Sequence, residues 1–363
     1  MQELKTKAYG ASGAMIGGKT LKPMEIIRKA PENDEVLIDI LYCGVCHSDA
    51  HQVNNDWKNT IYPCVPGHEI IGKVKETGAN VKNYKPGDVV GVGCMIDSCN
   101  QCYNCKDGEE QYCEGPVGFT ATYNGYMEPK DKEFNTFGGY STQITVKEKF
   151  VLRIPDKIDI KAAGPILCAG VTTYSPLKHW KINKGDKVGV IGLGGLGHMG
   201  VMLAKALGAD VSVITTSEEK RGLAMELGAH NVIVSEDQEA MEKNELTFDF
   251  LLCTIPDAFD INPYIKLLKR DGTIATVGLL GQYAKPTDNG EVIKHRRNVA
   301  GSLIGSLAET QEVLDFCAEH NIQPMVEMIK IQEINEAFEK MAKEEVRFRY
   351  VIDMQSLKEE EIN

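Results

Sequence analysis

Four cysteines within fifteen residues, Cys99, Cys102, Cys105 and Cys113, have the spacing C-x2-C-x2-C-x7-C. The residues between them are polar and turn-forming, Asn100-Gln101 and Lys106-Asp107-Gly108 among them. Such a segment buries too little apolar surface to hold a shape unaided. It can fold around a metal, because four thiolates complete a tetrahedral shell and the binding energy becomes folding energy. Zinc is the first choice. An iron–sulfur cluster is the runner-up, but the ferredoxin run has a shorter last spacing and a proline after its fourth cysteine, where this chain has Glu114. Unrelated loop cysteines or a pair of disulfides would be the bland reading, which the clustering disfavours. A closed shell leaves no open position, so this metal is read as structural. The chemistry must lie elsewhere.

A second signal is Gly192-Leu193-Gly194-Gly195-Leu196-Gly197, a G-x-G-x-x-G run that follows an apolar stretch, Lys187 to Ile191, and precedes a helical one. In that context the glycines allow a tight turn, backbone approach to a pyrophosphate and close helix–strand packing. Gly192, Gly194, Gly195, Leu196 and Gly197 are therefore candidate cofactor contacts. The end of the next strand discriminates between dinucleotides. An NAD site places Asp or Glu there to hold the ribose hydroxyls. Here it reads Thr215-Thr216-Ser217, with Lys220 and Arg221 beyond. Hydroxyls and cations suit a 2′-phosphate, so NADP is expected, although Glu218 and Glu219 lie close by.

These residues must be positioned by more than one core, because 363 residues exceed the usual limit of a single one. Up to about residue 150 the chain reads as short strands joined by Gly/Pro turns, for example at 35–41, 88–92 and 141–146. From about residue 160 the texture changes. A helical stretch at 162–177 is followed by strands at 187–191, 211–215, 231–234, 248–253 and 273–277. Helices fit between them, as at 198–207, with Gly208 as cap, and at 219–227 and 263–269. Repeated βα units imply a doubly wound parallel sheet, hence an α/β fold in two domains. Residues 310–350 carry two amphipathic helices and lead into a last strand, expected to return to the first domain.

Composition excludes several classes. A net charge of −12, from 40 basic and 52 acidic residues, leaves no basic face for nucleic acid. It also disfavours a zinc-finger-like binding role for the cysteine lobe. No apolar run approaches a membrane span, and the first residues lack a signal-peptide pattern. Eleven cysteines without an export signal point to a reducing compartment, the cytoplasm.

Three more residues have ligand chemistry: Cys46, His68 and Cys168. They lie far apart in sequence, and spacing alone does not bring them together. Taken singly, Cys168 reads as a small buried hydrophobe and His68 as a turn histidine.

Cys46-His47-Ser48-Asp49, Gly67-His68-Glu69, the cysteine lobe, Cys168-Ala169-Gly170-Val171-Thr172 and the glycine turn occur in this order. Together they resemble the zinc-containing medium-chain dehydrogenase/reductases, and more narrowly the cinnamyl-alcohol-dehydrogenase branch with its NADP-dependent aldehyde reductases. Arg347 to Asp353 is similar to that branch's closing strand. The resemblance spans essentially the whole chain. It implies a GroES-like β-rich catalytic domain over 1–157, a Rossmann NADP-binding domain over 158–298, and a return segment over 299–363 that completes the first. It implies two zincs per chain, the catalytic one held by Cys46, His68 and Cys168, with Glu69 as an alternate ligand. Ser48 and His51 match the family's proton relay, and Ser48 is also a candidate helix N-cap. The remaining cysteines, Cys43, Cys64, Cys94, Cys253 and Cys317, match no ligand position and read as packing or surface residues. Trp57 and Phe119 are candidate pocket walls or core residues. The expected activity is aldehyde–primary alcohol interconversion by a homodimer or homotetramer, on aromatic or medium-chain substrates. Its rivals are an NAD-dependent alcohol or polyol dehydrogenase of the same superfamily and a non-catalytic NADPH-binding protein.

Overall fold

The computed structural model describes residues 2–14, 20–127, 134–278, 281–343 and 348–360. Arg347, the first residue of the expected closing strand, lies outside them. The chain divides into two compact units, Met1–Cys168 with Ser306–Asn363, and Ala169–Gly305. It leaves the first unit later than the change in sequence texture suggests. The reason is local: the 3-10 turn Gly164–Leu167 packs on strands Glu35–Gly44 and Ile70–Thr77, with Ile166 and Leu167 buried.

In the first unit the long strand Glu35–Gly44 is the organiser. It pairs antiparallel with Ile70–Thr77 along its length, with Gln143–Lys147 at its start and with Arg349–Asp353 at its end. Val36, Ile38 and Ile40 are fully buried on one side of the pleat, and the side chains between them alternate outward less strictly. The closing strand sets Val351 opposite Gly44 and Ile352 opposite Cys43, just before Cys46. Between the tail helices Leu307–His320 and Ile334–Ala342 runs an additional strand, Val326–Lys330, parallel to Arg349–Asp353. It is a largely exposed edge strand with no clean apolar alternation, and its backbone ladder holds it.

The second unit is a six-stranded parallel sheet. Its order is Asn231–Val234, Asp210–Thr215, Lys187–Ile191, Phe248–Cys253, Leu268–Thr276, Asn298–Gly301. The order reverses beside Lys187–Ile191, the first strand. In an open doubly wound sheet, ligands bind at the carboxyl ends of the strands at that switch point. The Lys187–Ile191 side chains after the first are fully buried, as a strand covered on both faces requires. The helix expected over 263–269 is shorter, Asn262–Ile265. Leu267 and Leu268 are drawn into the core, and the strand Leu268–Thr276 starts there. Sheet pairing overrides local helix propensity at that point. Likewise the stretch 162–177 splits into the 3-10 turn and helix Ala169–His179. Among the described residues no helix is long and apolar enough to cross a membrane.

Candidate active site and cofactor turn

The strand Glu35–Gly44 ends two residues before Cys46, which caps helix His47–Asn54. Its cap is reciprocal. The Cys46 sulfur meets the backbone of Asp49, and Asp49 Oδ2 accepts the Cys46 N–H at 2.9 Å. The N-cap is thus Cys46, and Ser48 is the second helical residue rather than the cap.

Asp49 does more than close the helix. It is fully buried, and its Oδ1 accepts the Gly67 N–H at 3.1 Å and lies 3.0 Å from His68 Nδ1. Tyr140 Oη donates to Oδ2 at 3.3 Å. Gly67 has φ +101°, and a Cβ there would lie 2.7 Å from the Tyr140 ring, so only glycine makes this bend. With Nδ1 at Asp49, the His68 Nε2 turns the other way, 3.2 Å from Cys168 Sγ. This carboxylate–imidazole arrangement is the one that orients histidine ligands at metals. Burial is the strongest influence and pushes the His68 imidazole down, yet the charges of Asp49 and Cys94 and the hydrogen bonds of Asp49 and Cys46 together carry the net shift well upward.

One ligand atom each from Cys46, His68, Glu69 and Cys168 lies within 4.8 Å of all the others, and all four residues are buried. The structure brings together residues from three separate places: a helix cap, two neighbouring turn residues and a junction after a 3-10 turn. Cys46 is held well below the usual thiol range. A hydrogen bond from Cys168 contributes most and outweighs burial, and the positive charge of Arg349 adds to it. Two thiols, one imidazole nitrogen and one carboxylate form a borderline-soft donor set that fits zinc.

Arg349 was not expected. Its guanidinium lies against Glu69 Oε1, and both side chains are almost fully shielded from solvent. It places a positive charge beside the Glu69 carboxylate and near the Cys46 thiol. The sequence signal was an arginine inside the apolar run Phe348 to Ile352, where an unpaired charge would be prohibitive. Asp49 had a signal too, an acid three residues after a helix cap.

Of the relay candidates, Ser48 is half-buried and His51 lies one turn further on the same face. His51 Nδ1 is 2.8 Å from Asp56 Oδ2, and the Trp57 ring centroid is 5.7 Å from its own. Phe119 is buried, whereas Trp57 is half-buried beside His51. Cys94 is closer to the site than a packing residue need be. Its sulfur lies 3.9 Å from the Leu167 carbonyl, and its hydrogen bond with Cys168 is the main cause of its lowered pKa.

The lobe cysteines also converge, with their sulfurs within 4.8 Å of one another. Backbone N–H groups reach three of them: Gln101 and Cys102 donate to Cys99, Cys105 to Cys102, and Cys99 and Gly115 to Cys113, at 3.3–3.5 Å. Amide donors aimed at sulfur stabilise thiolates, and for Cys99 they lower the pKa to about 6. Burial pushes Cys105 the other way, up to about 12, and the four converging sulfurs together suit a closed zinc shell.

In the second unit, Gly192 has φ +90°, and its N–H donates to Ile214 at 2.9 Å, turning the chain off the first strand. A Cβ on Gly197 would run into the Gly192 carbonyl, so helix Gly197–Ala206 packs tightly there. At Gly194 a Cβ would meet no protein atom within 4 Å, leaving an open cradle above the helix N-terminus. Gly195 and Leu196 complete the turn, and the His198 N–H closes it onto the Gly194 carbonyl at 3.0 Å. His198 is fully buried beneath it, and burial pushes its imidazole down to about 4 despite the Gly194 and Gly195 carbonyls. At the second strand the residues divide. Thr216 is exposed, and Ser217 and Lys220 are half-buried. Thr215 is buried, and its Oγ1 accepts the Ser217 N–H at 3.5 Å, shaping the turn from inside.

Comparison with known proteins now fits this geometry. Residues 32–156 match the alcohol dehydrogenase GroES-like domain and residues 195–319 the zinc-binding dehydrogenase family. The chain is 49% identical to aldehyde reductase YahK of Escherichia coli (strain K12) over 98% of its own length and 99% of the relative's. Cinnamyl alcohol dehydrogenase SbCAD4 of Sorghum bicolor superposes with a TM-score of 0.92 at 38% identity, covering 99% of this chain and 100% of that one. CAD from Helicobacter pylori, solved with NADP(H), has a TM-score of 0.88 at 39% identity, covering 98% and 99%. The chain belongs to the zinc-containing medium-chain dehydrogenase/reductases, in the cinnamyl-alcohol-dehydrogenase and aldehyde-reductase branch. It is an oxidoreductase of the zinc- and NADP-dependent type, with a GroES-like and a Rossmann domain.

Proposed function

We propose that the chain interconverts aldehydes and primary alcohols with NADP(H), over a broad range of aromatic and medium-chain substrates. The observation that carries this reading is the gathering of Cys46, His68, Cys168 and Glu69 around one point. Three of these donors, two thiolates and one imidazole, would hold a catalytic zinc and leave a fourth position for substrate. Glu69 would serve as alternate ligand, since Arg349 offers its carboxylate a second partner. Zinc when bound supplies Lewis acidity toward a substrate oxygen, and NADPH when bound supplies the hydride. The chain's own part is to hold and move the proton. Ser48 lies two residues after Cys46 and would exchange a proton with the product oxygen. His51, steadied by Asp56, would pass it to and from solvent. The open cradle at Gly194, with Gly192, Gly195, Leu196 and Gly197, would take the pyrophosphate, and Thr216, Ser217 and Lys220 the 2′-phosphate. Cys99, Cys102, Cys105 and Cys113 would hold the structural zinc.

Two features support the assembly and compartment readings. The strand Asn298–Gly301 is a sheet edge with Val299 and, just before it, Ile293 exposed, which suits pairing with a second copy in a homodimer or homotetramer. All eleven cysteines are free, as a cytoplasmic setting favours.

The test is the initial rate of NADPH oxidation by zinc-loaded protein with cinnamaldehyde, against the same assay with NADH. Turnover with NADPH and little with NADH is the expected result. No turnover with either cofactor, in protein carrying both zincs, would overturn the substrate class.

A further inference from the structure

The turn that follows strand Asp210–Thr215 presents a contradiction. Glu218 comes directly after the hydroxyl residues proposed to meet a 2′-phosphate. In an NAD site a carboxylate in this region holds the ribose hydroxyls, and beside a phosphate it is repulsive. The structure shows where that carboxylate goes. Arg221 Nε contacts Glu218 Oε1, and Arg221 Nη2 donates to Oε2 at 2.9 Å, a two-pronged grip. The same Nη2 donates to the Val232 carbonyl at 3.3 Å, on the neighbouring strand Asn231–Val234. The guanidinium is therefore tied to the sheet as well as to the carboxylate. An exposed pair three residues apart adds little to stability. A planar fork anchored at a third point instead fixes direction. Those hydrogen bonds also hold the Glu218 carboxyl below its usual range.

We propose that Arg221 is a specificity-determining positioning residue that holds Glu218 away from the ribose 2′ position. A turn that carries a carboxylate thereby accepts a 2′-phosphate. This rests on the reading of Thr216, Ser217 and Lys220 as the phosphate-facing residues. It assigns Arg221 a different task from theirs: it neutralises and aims a neighbour rather than meeting the cofactor.

The test measures Kd for NADPH and for NADH on the zinc-loaded enzyme by quenching of intrinsic fluorescence, with circular dichroism to confirm folding. Arg221→Gln is expected to weaken NADPH binding about tenfold and to change NADH binding by less than about twofold, because only the phosphate feels the released charge. Glu218→Gln in the Arg221→Gln background should restore NADPH affinity to within about threefold of wild type. Arg221→Lys should fall between, since an ammonium cannot make the fork. An unchanged NADPH-to-NADH ratio in Arg221→Gln would reduce the pair to a surface contact and overturn the proposal. A double variant as weak as the single one would overturn it differently, by placing Arg221 on the phosphate itself. Failure of the underlying reading looks distinct: Ser217→Ala and Lys220→Ala would then both leave NADPH affinity unchanged.

Discussion

The two cysteine-rich sites of the first unit solve the same problem in opposite ways. The lobe draws all four sulfurs from one short loop, and short-range N–H···S contacts already aim them. Three of its cysteines are partly exposed. The other site draws its ligand atoms from positions 46, 68, 69 and 168 and buries all of them. It needs a shared carboxylate, Asp49, to orient the histidine and a distant cation, Arg349, to balance charge. A locally encoded site can hold its own loop together. A site assembled from distant segments must be held by the fold, and in return it gains a dry, low-dielectric setting where a polarising metal acts strongly.

Substitutions can break that contrast. Cys46→Ser is expected to lower turnover by more than about a thousandfold, because Lewis acidity worth several kcal/mol goes with the metal. The lobe zinc and the far-ultraviolet circular dichroism should remain. Loss of both metals together would show that the two sites are not independent. Arg349→Leu should destabilise the fold by about 3–5 kcal/mol in urea titration, since Glu69 is left as a buried charge without its partner. A cost under about 1 kcal/mol would mean that Glu69 is neutral or elsewhere compensated.

Other changes sharpen it. Cys105→Ser should remove the lobe zinc and cost on the order of 2–4 kcal/mol, with the rate per folded active site nearly kept. If that variant proved as stable as wild type, the structural role of the lobe would be wrong. Asp49→Asn should be mildest in fold terms, weakening metal affinity at the buried site about 10–100-fold while the lobe stays loaded. Zinc content after dialysis against graded chelator reads both sites at once, and equal losses from the two would refute the role given to Asp49.

Each of these expectations depends differently on what local sequence can carry. The lobe was legible because its four ligands are near neighbours and the loop between them has no other means of folding. The glycine turn was legible for the same reason, since strand, turn and helix follow one another. Thr215 shows the limit. It belongs by type with Thr216 and Ser217, yet it is still paired in the parallel sheet, opposite Val234, where every residue from Val211 on is buried, and only the sheet decides which of the three faces solvent. The edge strand Val326–Lys330 was illegible because it carries little apolar pattern and exists through its partner's backbone.

The amino-acid sequence by itself determined the parallel-sheet unit, the dinucleotide turn and the metal lobe. Those features rest on periodicity and on contacts a few residues long, whereas Cys46, His68 and Cys168 stood out as a set only through the family resemblance. The tertiary structure alone decided that Asp49 joins Cys46, Gly67, His68 and Tyr140, and that Arg349 reaches Glu69. It also decided that Arg221 occupies Glu218. These contacts close loops of up to hundreds of residues, or depend on which way one side chain turns. Their energies come from burial and charge balance, which exist only once the chain has packed.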